Sequence, residues 1–574
     1  MKARQSASWI DDLRTSLAGL FVTSLEKESI DMGIAVVLLF VLLMLTMGFI
    51  AMRKTKTVSD FFLAGRGLGP WLSAFAYGTT YFSAVLFIGY GGKLGWGFGI
   101  HTMWIVLGNA LVGSFLAWWV LGKRTREMTE RLNAMTMPGF LAERYGSPLL
   151  KVLAAVLIFL FLVPYSASVY KGLNYLFQEA LVLNESQALW LLAGLTGVYL
   201  IMGGYLAVTL TDFLMGLMMI FGVLALLTVL TGNGGGIVHT TKMLLDMKKC
   251  APALGAPTPI PGWLTLLSLV IITSFGPWGL PQMVQKFYSI KSGDQVRRAM
   301  IVATLFALLV TFGGYYTGAL THVNIAPHPN ALRHDLNLAG VDGYTAPSQL
   351  PVRLGADGQP VILPNGKPDV VWDKWIPTYL AHRLPPWLML VIVLLVLSAS
   401  MSTLSSLVLV SSSAIAMDLY AGVVNPKLER KSVLVLMRIL CGLFVLLSLV
   451  LAKVSISHIV TLMVISWGVL AGAFAAPYLY GLFWRRTTLA GAFTGMIAGV
   501  VVGAGLTWFL GDPGITPNDP AIPIAGAVSI LLPFLIVPLV SLISPPPNQK
   551  TVDKAFGMLG RKPAAKSAQG VSVK

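Results

Sequence analysis

The chain has 574 residues, 56% of them hydrophobic and only 11% charged, with a mean hydropathy of +0.76. A soluble domain carries about 25% charged residues, so composition excludes a chain solvated mainly by water and makes lipid the solvent for most of it. The formal net charge is +17, but the Lys and Arg residues sit between apolar runs, where they orient helices, which argues against nucleic acid as a partner.

The amino-terminal residues 1–31 do not read as a signal peptide, because Asp11 and Asp12 interrupt a short apolar stretch and no small-residue cleavage site follows. A spanning helix needs about 20 mostly apolar residues. Such runs are predicted at 32–52, 68–92, 99–122, 148–178, 186–203, 207–232, 263–290, 296–323, 386–419, 432–453, 456–484, 487–510 and 521–543, thirteen in all. Lys and Arg concentrate in the loops 53–67, 123–147, 286–298, 420–431 and 485–486, including Arg53, Arg66, Lys123, Arg144, Lys286, Lys427 and Arg485. The positive-inside rule makes those loops cytoplasmic. The expected protein is therefore a multi-pass plasma (inner) membrane protein, amino terminus outside and carboxyl terminus inside. The polar, Pro- and Gly-bearing stretch 324–385 becomes an external loop. Of the two cysteines, Cys250 falls in a loop and Cys441 in an apolar run, a pattern that suggests neither a disulfide framework nor a metal cluster.

Two runs carry breaks. The run 68–92 holds AYGTTYFSA with Gly78, Gly89, Gly91 and Gly92; the run 263–290 holds FGPWGLPQM with Gly276, Pro277, Gly279 and Pro281. Proline removes a helical donor and clashes with the preceding turn, and irregular backbone at membrane depth survives only where protein or a cavity shelters it. The breaks fall in the first and sixth of ten consecutive runs, 68–92 through 456–484, the pattern of a transporter site between inverted repeats.

The segment LSASMSTLSSLVLVSSSAIAMDLY, 397–420, is dense in hydroxyls. Ala399, Ser402, Thr403 and Ser406 share one helical face, and Ser398, Ser402 and Ser405 line the next stripe. Small residues also serve close helix packing, but a stripe of hydroxyl oxygens is equally a ligand set for a small hard cation. Lys171 is the one basic side chain well inside a run, either a functional cation or a lysine snorkelling to the interface. Facing a cavity, it would favour an anionic solute such as a carboxylate.

With DFFLAGRGLGPW (60–71), SAVLFIG (83–89), TDFLMG (211–216) and SMSTLSSLVLVSSSAIAMDLY (400–420), the chain resembles the sodium/solute symporter family of proline, pantothenate, sugar, monocarboxylate and sialic-acid transporters. The resemblance implies an all-α membrane fold of 13 transmembrane helices. Ten of them form a leucine-transporter-like core of two inverted five-helix repeats with two broken helices. The corresponding division is an external segment 1–31, a leading helix and loop 32–67, the core 68–484, two trailing helices 485–543 and a cytoplasmic tail 544–574. The resemblance also implies Na+ as coupling ion, held by the side chains of Ser402 and Thr403 and the carbonyls of Thr79, Phe82 and Ala399. Some members hold a second ion, at positions matching Asp212, Ser405 and Ser406. It places the solute between the broken helices, near Tyr77, Thr80, Tyr81, Ser83, Leu86, Trp278, Gly279 and Gln282. Tyr81 stands where the proline transporter has an acid and Leu86 where sugar transporters have glutamine, two departures that argue against both solutes.

The expected function is sodium-coupled import of a small organic solute, a carboxylate or an amino acid or vitamin, by alternating access across the lipid bilayer. No organic cofactor or obligatory protein partner is implied, and no enzyme motif is present. The alternatives are a proton-coupled symporter of the same fold, in which Asp212 titrates, a channel, and a non-transporting membrane sensor, for which the tail after 544 offers little room.

Overall fold

The structure is a computed structural model that describes residues 35–50, 62–181, 183–232, 235–246, 251–255, 260–324, 370–454, 458–510 and 521–557, with residues 33, 53, 359, 361 and 362. The segment 1–31, Cys250, most of the loop 324–385 and the tail beyond 557 lie outside the described residues.

The described chain is a bundle of helices. The elements that matter for the site are α1 (Ala35–Ile50), α2 (Pro70–Tyr81), α3 (Val85–Arg131), α4 (Met137–Tyr145), α5 (Pro148–Leu181), α6 (Glu185–Gly232), α7 (Gly262–Gly279), α8 (Pro281–Ser289), α9 (Val296–Asn324), α10 (Pro386–Val424), α11 (Ile459–Phe483) and α12 (Gln549–Phe556). Among the described residues ten helices are long and apolar enough to cross a membrane. That makes an all-α, multi-pass membrane protein, with ten such spans rather than the thirteen expected.

Three runs account for the difference. The run 32–52 is described only as the short helix α1. The run 68–92 is split, and its second half continues into α3, a single irregular helix of 47 residues that absorbs the run 99–122. The run 186–203 is the first part of α6, which turns at Gly204 with φ 58° and ψ −169°. Only a residue without Cβ enters that region readily, and the qualifying span begins there, as Gly204–Gly232.

Burial separates centre from rim. α11 and α10 lie almost wholly inside the protein, whereas the helices Leu489–Thr507 and Ala521–Ile543 bury only about a third of their length. α10 packs on α5 and α6, α11 on α5 and α7, and α2 lies between α6 and α9. Near one end of the bundle α9 crosses the start of α3 at backbone contact. A Cβ on Gly318 would stand 1.8 Å from Gly91 O, and one on Gly95 2.4 Å from Gly318 Cα. No other residue fits either position. At the opposite end α12 docks beside α4: Arg131 donates to Ala555 O at 2.9 Å, and the Phe556 ring lies 5.0–5.6 Å from the guanidinium carbons of Arg124, Arg144 and Arg485.

Candidate functional site: two broken helices and a hydroxyl-lined third

α2 begins with Pro70 in its first turn, where the missing N–H costs nothing. It ends at Phe82, whose φ −116° and ψ 120° are extended, and helix resumes at Val85. The interruption frees carbonyls that would otherwise bond four residues on. The Thr403 hydroxyl of α10 lies against two of them, 3.3 Å from Thr79 O and 3.2 Å from Thr80 O, with one proton to share. The same hydroxyl is 3.0 Å from Ala399 O of its own helix. Ser402 Oγ donates to Thr79 Oγ1 at 2.8 Å, and the Ala84 N–H donates to Ser400 Oγ at 3.1 Å. The break is thus held open by hydroxyls of α10.

The second break is made differently. Pro277 lies inside α7 and Pro281 opens α8. A residue before proline is pushed out of the helical region, and Leu280 has φ −74° and ψ 121°. Pro277 also has no N–H for the carbonyl four residues earlier, Thr273 O. The Tyr81 hydroxyl fills that role, donating to Thr273 O at 2.5 Å. One side chain of the first break therefore satisfies a carbonyl freed by the second.

The expected sodium ligands Thr79, Ala399, Ser402 and Thr403 meet around the first break; Phe82 sits at its turn, with its N–H bonded to Gly78 O. The expected solute residues Tyr77, Thr80, Tyr81, Ser83, Leu86, Trp278, Gly279 and Gln282 are all buried. Several have polar atoms already engaged: Tyr77 OH donates to Gly113 O, and Trp278 Nε1 to Val112 O. Ser83 Oγ accepts from Val85 N. Around Tyr81 stand Phe82, stacked at 4.2 Å, and Trp467 at 6.0 Å, with Tyr165 edge-on to Trp467.

Lys171 is buried and ion-paired rather than reaching out to the interface. It is 7% exposed, and its ammonium lies 3.6 Å from Asp373 Oδ2, itself 1% exposed. The same carboxylate oxygen accepts the Ile459 N–H that opens α11. Asp373 escaped sequence reading because it lies near the end of the long polar stretch, which gives no periodicity to read. Lys286 also differs from expectation. Counted with the loop charges of 286–298, it is fully buried within α8, beside Asp212 of α6 and Ser406 of α10. Its signal was present in PQMVQKFYS, where the lysine falls inside a half-helix rather than after it.

The chain is 28% identical over 522 residues, 89% of its length and 98% of the relative's, to the high-affinity proline transporter PutP of Bacillus subtilis. It is 27% identical to the sodium/proline symporter of Escherichia coli, over 80% of this chain and 84% of that one. A solved sodium-coupled sialic acid symporter, substrate-bound and outward-open, superposes with a TM-score of 0.69 at 15% identity, covering 90% of this chain and 98% of its own, a likeness of fold. Residues 61–499 match the sodium:solute symporter family. With that match across the broken helices and the hydroxyl-lined α10, the chain belongs to the sodium:solute symporter family and is a sodium-coupled secondary transporter of a small organic solute.

Proposed function

We propose that the chain imports a small zwitterionic amino acid of the proline kind, one molecule at a time, with sodium bound between the first break and α10. The observation that carries the sodium assignment is the Thr403 hydroxyl lying against both freed carbonyls, Thr79 O and Thr80 O, and against Ala399 O. With Ser402 and the Phe82 carbonyl, these are the hard oxygens that a small cation selects over softer donors. An ion joining them pins α10 to the broken segment, and release of the ion frees the two to move apart.

Three considerations favour a zwitterionic amino acid over a net anion such as a monocarboxylate. The buried cation that would have drawn a net anion, Lys171, is paired with Asp373. The aromatic surroundings of Tyr81, Phe82, Trp278 and Trp467 suit a compact apolar body. The relatives cited above are named as proline transporters. Tyr81, standing where the proline transporter has an acid, binds Thr273 O and would shape the pocket without holding charge.

The finer architecture belongs to the same reading. Thirteen crossings follow when α1, the split pair α2 with the start of α3, and the first part of α6 are each counted as one. The ten from 68 to 484 form two inverted halves, each opened by a break. The end of the bundle with Lys427, Arg485 and α12 is cytoplasmic, and Asp373 lies outside.

Uptake of radiolabelled L-proline and of pyruvate into proteoliposomes, each with and without an inward sodium gradient, tests the solute. Proline uptake that needs sodium is expected; sodium-driven pyruvate uptake without proline uptake overturns the choice. A cysteine placed within 324–385 should react with an impermeant reagent added outside, and one at Lys427 should not. Reversed labelling overturns the orientation.

A further inference from the structure

Asp212, Lys286 and Ser406 converge in the interior beside the sodium-binding face of α10 and are not used in the assignment above. The side chains of Asp212 and Lys286 are 0% exposed, with Nζ 3.9 Å from Asp212 Oδ2. Lys286 Nζ donates to Ser406 Oγ at 3.0 Å and lies 5.0 Å over the Tyr205 ring. Ser406 Oγ shares a further hydrogen bond of 3.0 Å with Thr80 Oγ1, at the first break. Ser405, the third residue expected of a second sodium site, turns its hydroxyl back on its own helix, donating to Ser402 O at 2.8 Å.

A carboxylate with neighbouring hydroxyls is a cation site, and an ammonium already stands in it. Ammonium and sodium seek the same oxygens. Two cations within a few ångströms repel strongly where no water screens them. The lysine head has no route to water from this position, because every residue of α8 is buried.

We infer that the Lys286 ammonium is the resident cation of the Asp212–Ser406 site, so that one sodium ion rather than two accompanies each solute. The inference rests on the reading that sodium binds at Ser402 and Thr403. It makes Lys286 the residue that sets coupling stoichiometry. It also gives the site a structural duty, since the tethered charge holds the Ser406 hydroxyl whether or not sodium is bound.

Binding of radiolabelled sodium alone to the purified full-length protein tests this. The wild type should bind one ion per chain, and Ser402→Ala with Thr403→Ala should weaken that binding at least tenfold. Lys286→Ala, which leaves the Asp212 carboxylate in place, should bind two ions. Adding Asp212→Asn to Lys286→Ala should return the count to one, and Lys286→Arg should keep it at one. Two ions on the wild type, or a folded Lys286→Ala protein that still binds one, overturns the inference. If Lys286→Ala does not fold, the wild-type count alone decides. A single wild-type ion that is lost on Asp212→Asn and untouched by the Ser402 and Thr403 changes overturns the parent reading as well. So does the absence of saturable binding.

Discussion

The two broken helices look alike in sequence, each an apolar run with glycines at its middle, yet they are interrupted by different forces. At the second, covalent geometry does it. Pro281 forces Leu280 out of the helix and Pro277 withholds a donor, and the surroundings are tight: a Cβ on Gly276 would come within 2.6 Å of Trp467 and one on Gly279 within 2.7 Å of Ala475 N. At the first, no proline lies between Pro70 and Leu94. The open segment is held by hydrogen bonds donated by Ser402 and Thr403 and accepted by Ser400, all on one neighbouring helix. A break written in proline persists whatever lies beside it. A break held by hydroxyls lasts only while their helix stays close, so a cation bound among those hydroxyls, as proposed, would control the first break and have no comparable grip on the second.

Substitutions can sharpen or break that contrast. The largest effect is expected just outside the first break, where Gly92 of its second half lies against Trp372, next to Asp373. Lys171→Gln leaves the buried Asp373 carboxylate unpaired, and removing one partner of a buried pair costs about 3–5 kcal/mol, read as a marked fall in melting temperature. Adding Asp373→Asn should restore much of it. If the double variant melts normally but still binds proline poorly, Lys171 touches solute after all. Next comes Gly279→Ala at the second break. Its new methyl meets backbone, and overpacking of this kind costs about 1–3 kcal/mol. Lower stability and lost transport should appear together, with sodium affinity in the surviving folded protein unchanged. At the first break the expectation is reversed: Ser402→Ala with Thr403→Ala should cost only about 1 kcal/mol of stability per lost hydrogen bond and raise the sodium concentration for half-maximal uptake at least tenfold, about 1.4 kcal/mol. Equal sodium dependence in the Gly279 and Ser402/Thr403 variants would erase the contrast. The smallest effect belongs to Ser400→Ala, which strips the Ala84 N–H of its acceptor and should cost about 1 kcal/mol, seen as a few-fold rise in the same sodium constant.

Much of this was legible before any coordinates. Long apolar runs announce spanning helices because lipid leaves the backbone no other partner, and the proline-marked break is readable because proline acts locally. The hydroxyl stripe of α10 was visible by its periodicity, and the resemblance tied it to Thr79. What stayed hidden depends on distance in sequence. Lys286 looks like one more loop charge until α6 and α10 are folded against it, since nothing near it names Asp212 or Ser406 as its neighbours. Lys171 likewise shows no sign of a partner some 200 residues away. The count of spans differed for a related reason. Gly204 and the turn at Phe82 redraw helix boundaries that hydropathy alone blurs.

The one-sodium stoichiometry inferred from the buried Lys286 would also set a ceiling on what the protein can accumulate. A membrane potential of 100 mV does work of about 2.3 kcal/mol on each charge that crosses, and a tenfold sodium gradient adds about 1.4 kcal/mol. One sodium ion with a neutral or zwitterionic solute therefore supports a concentration ratio of roughly 500-fold at equilibrium, since every 1.4 kcal/mol is a factor of ten. A second ion would square that figure. With Lys286 resident in the second site, as inferred above, the chain would reach the lower limit, with only one sodium entering per molecule gathered.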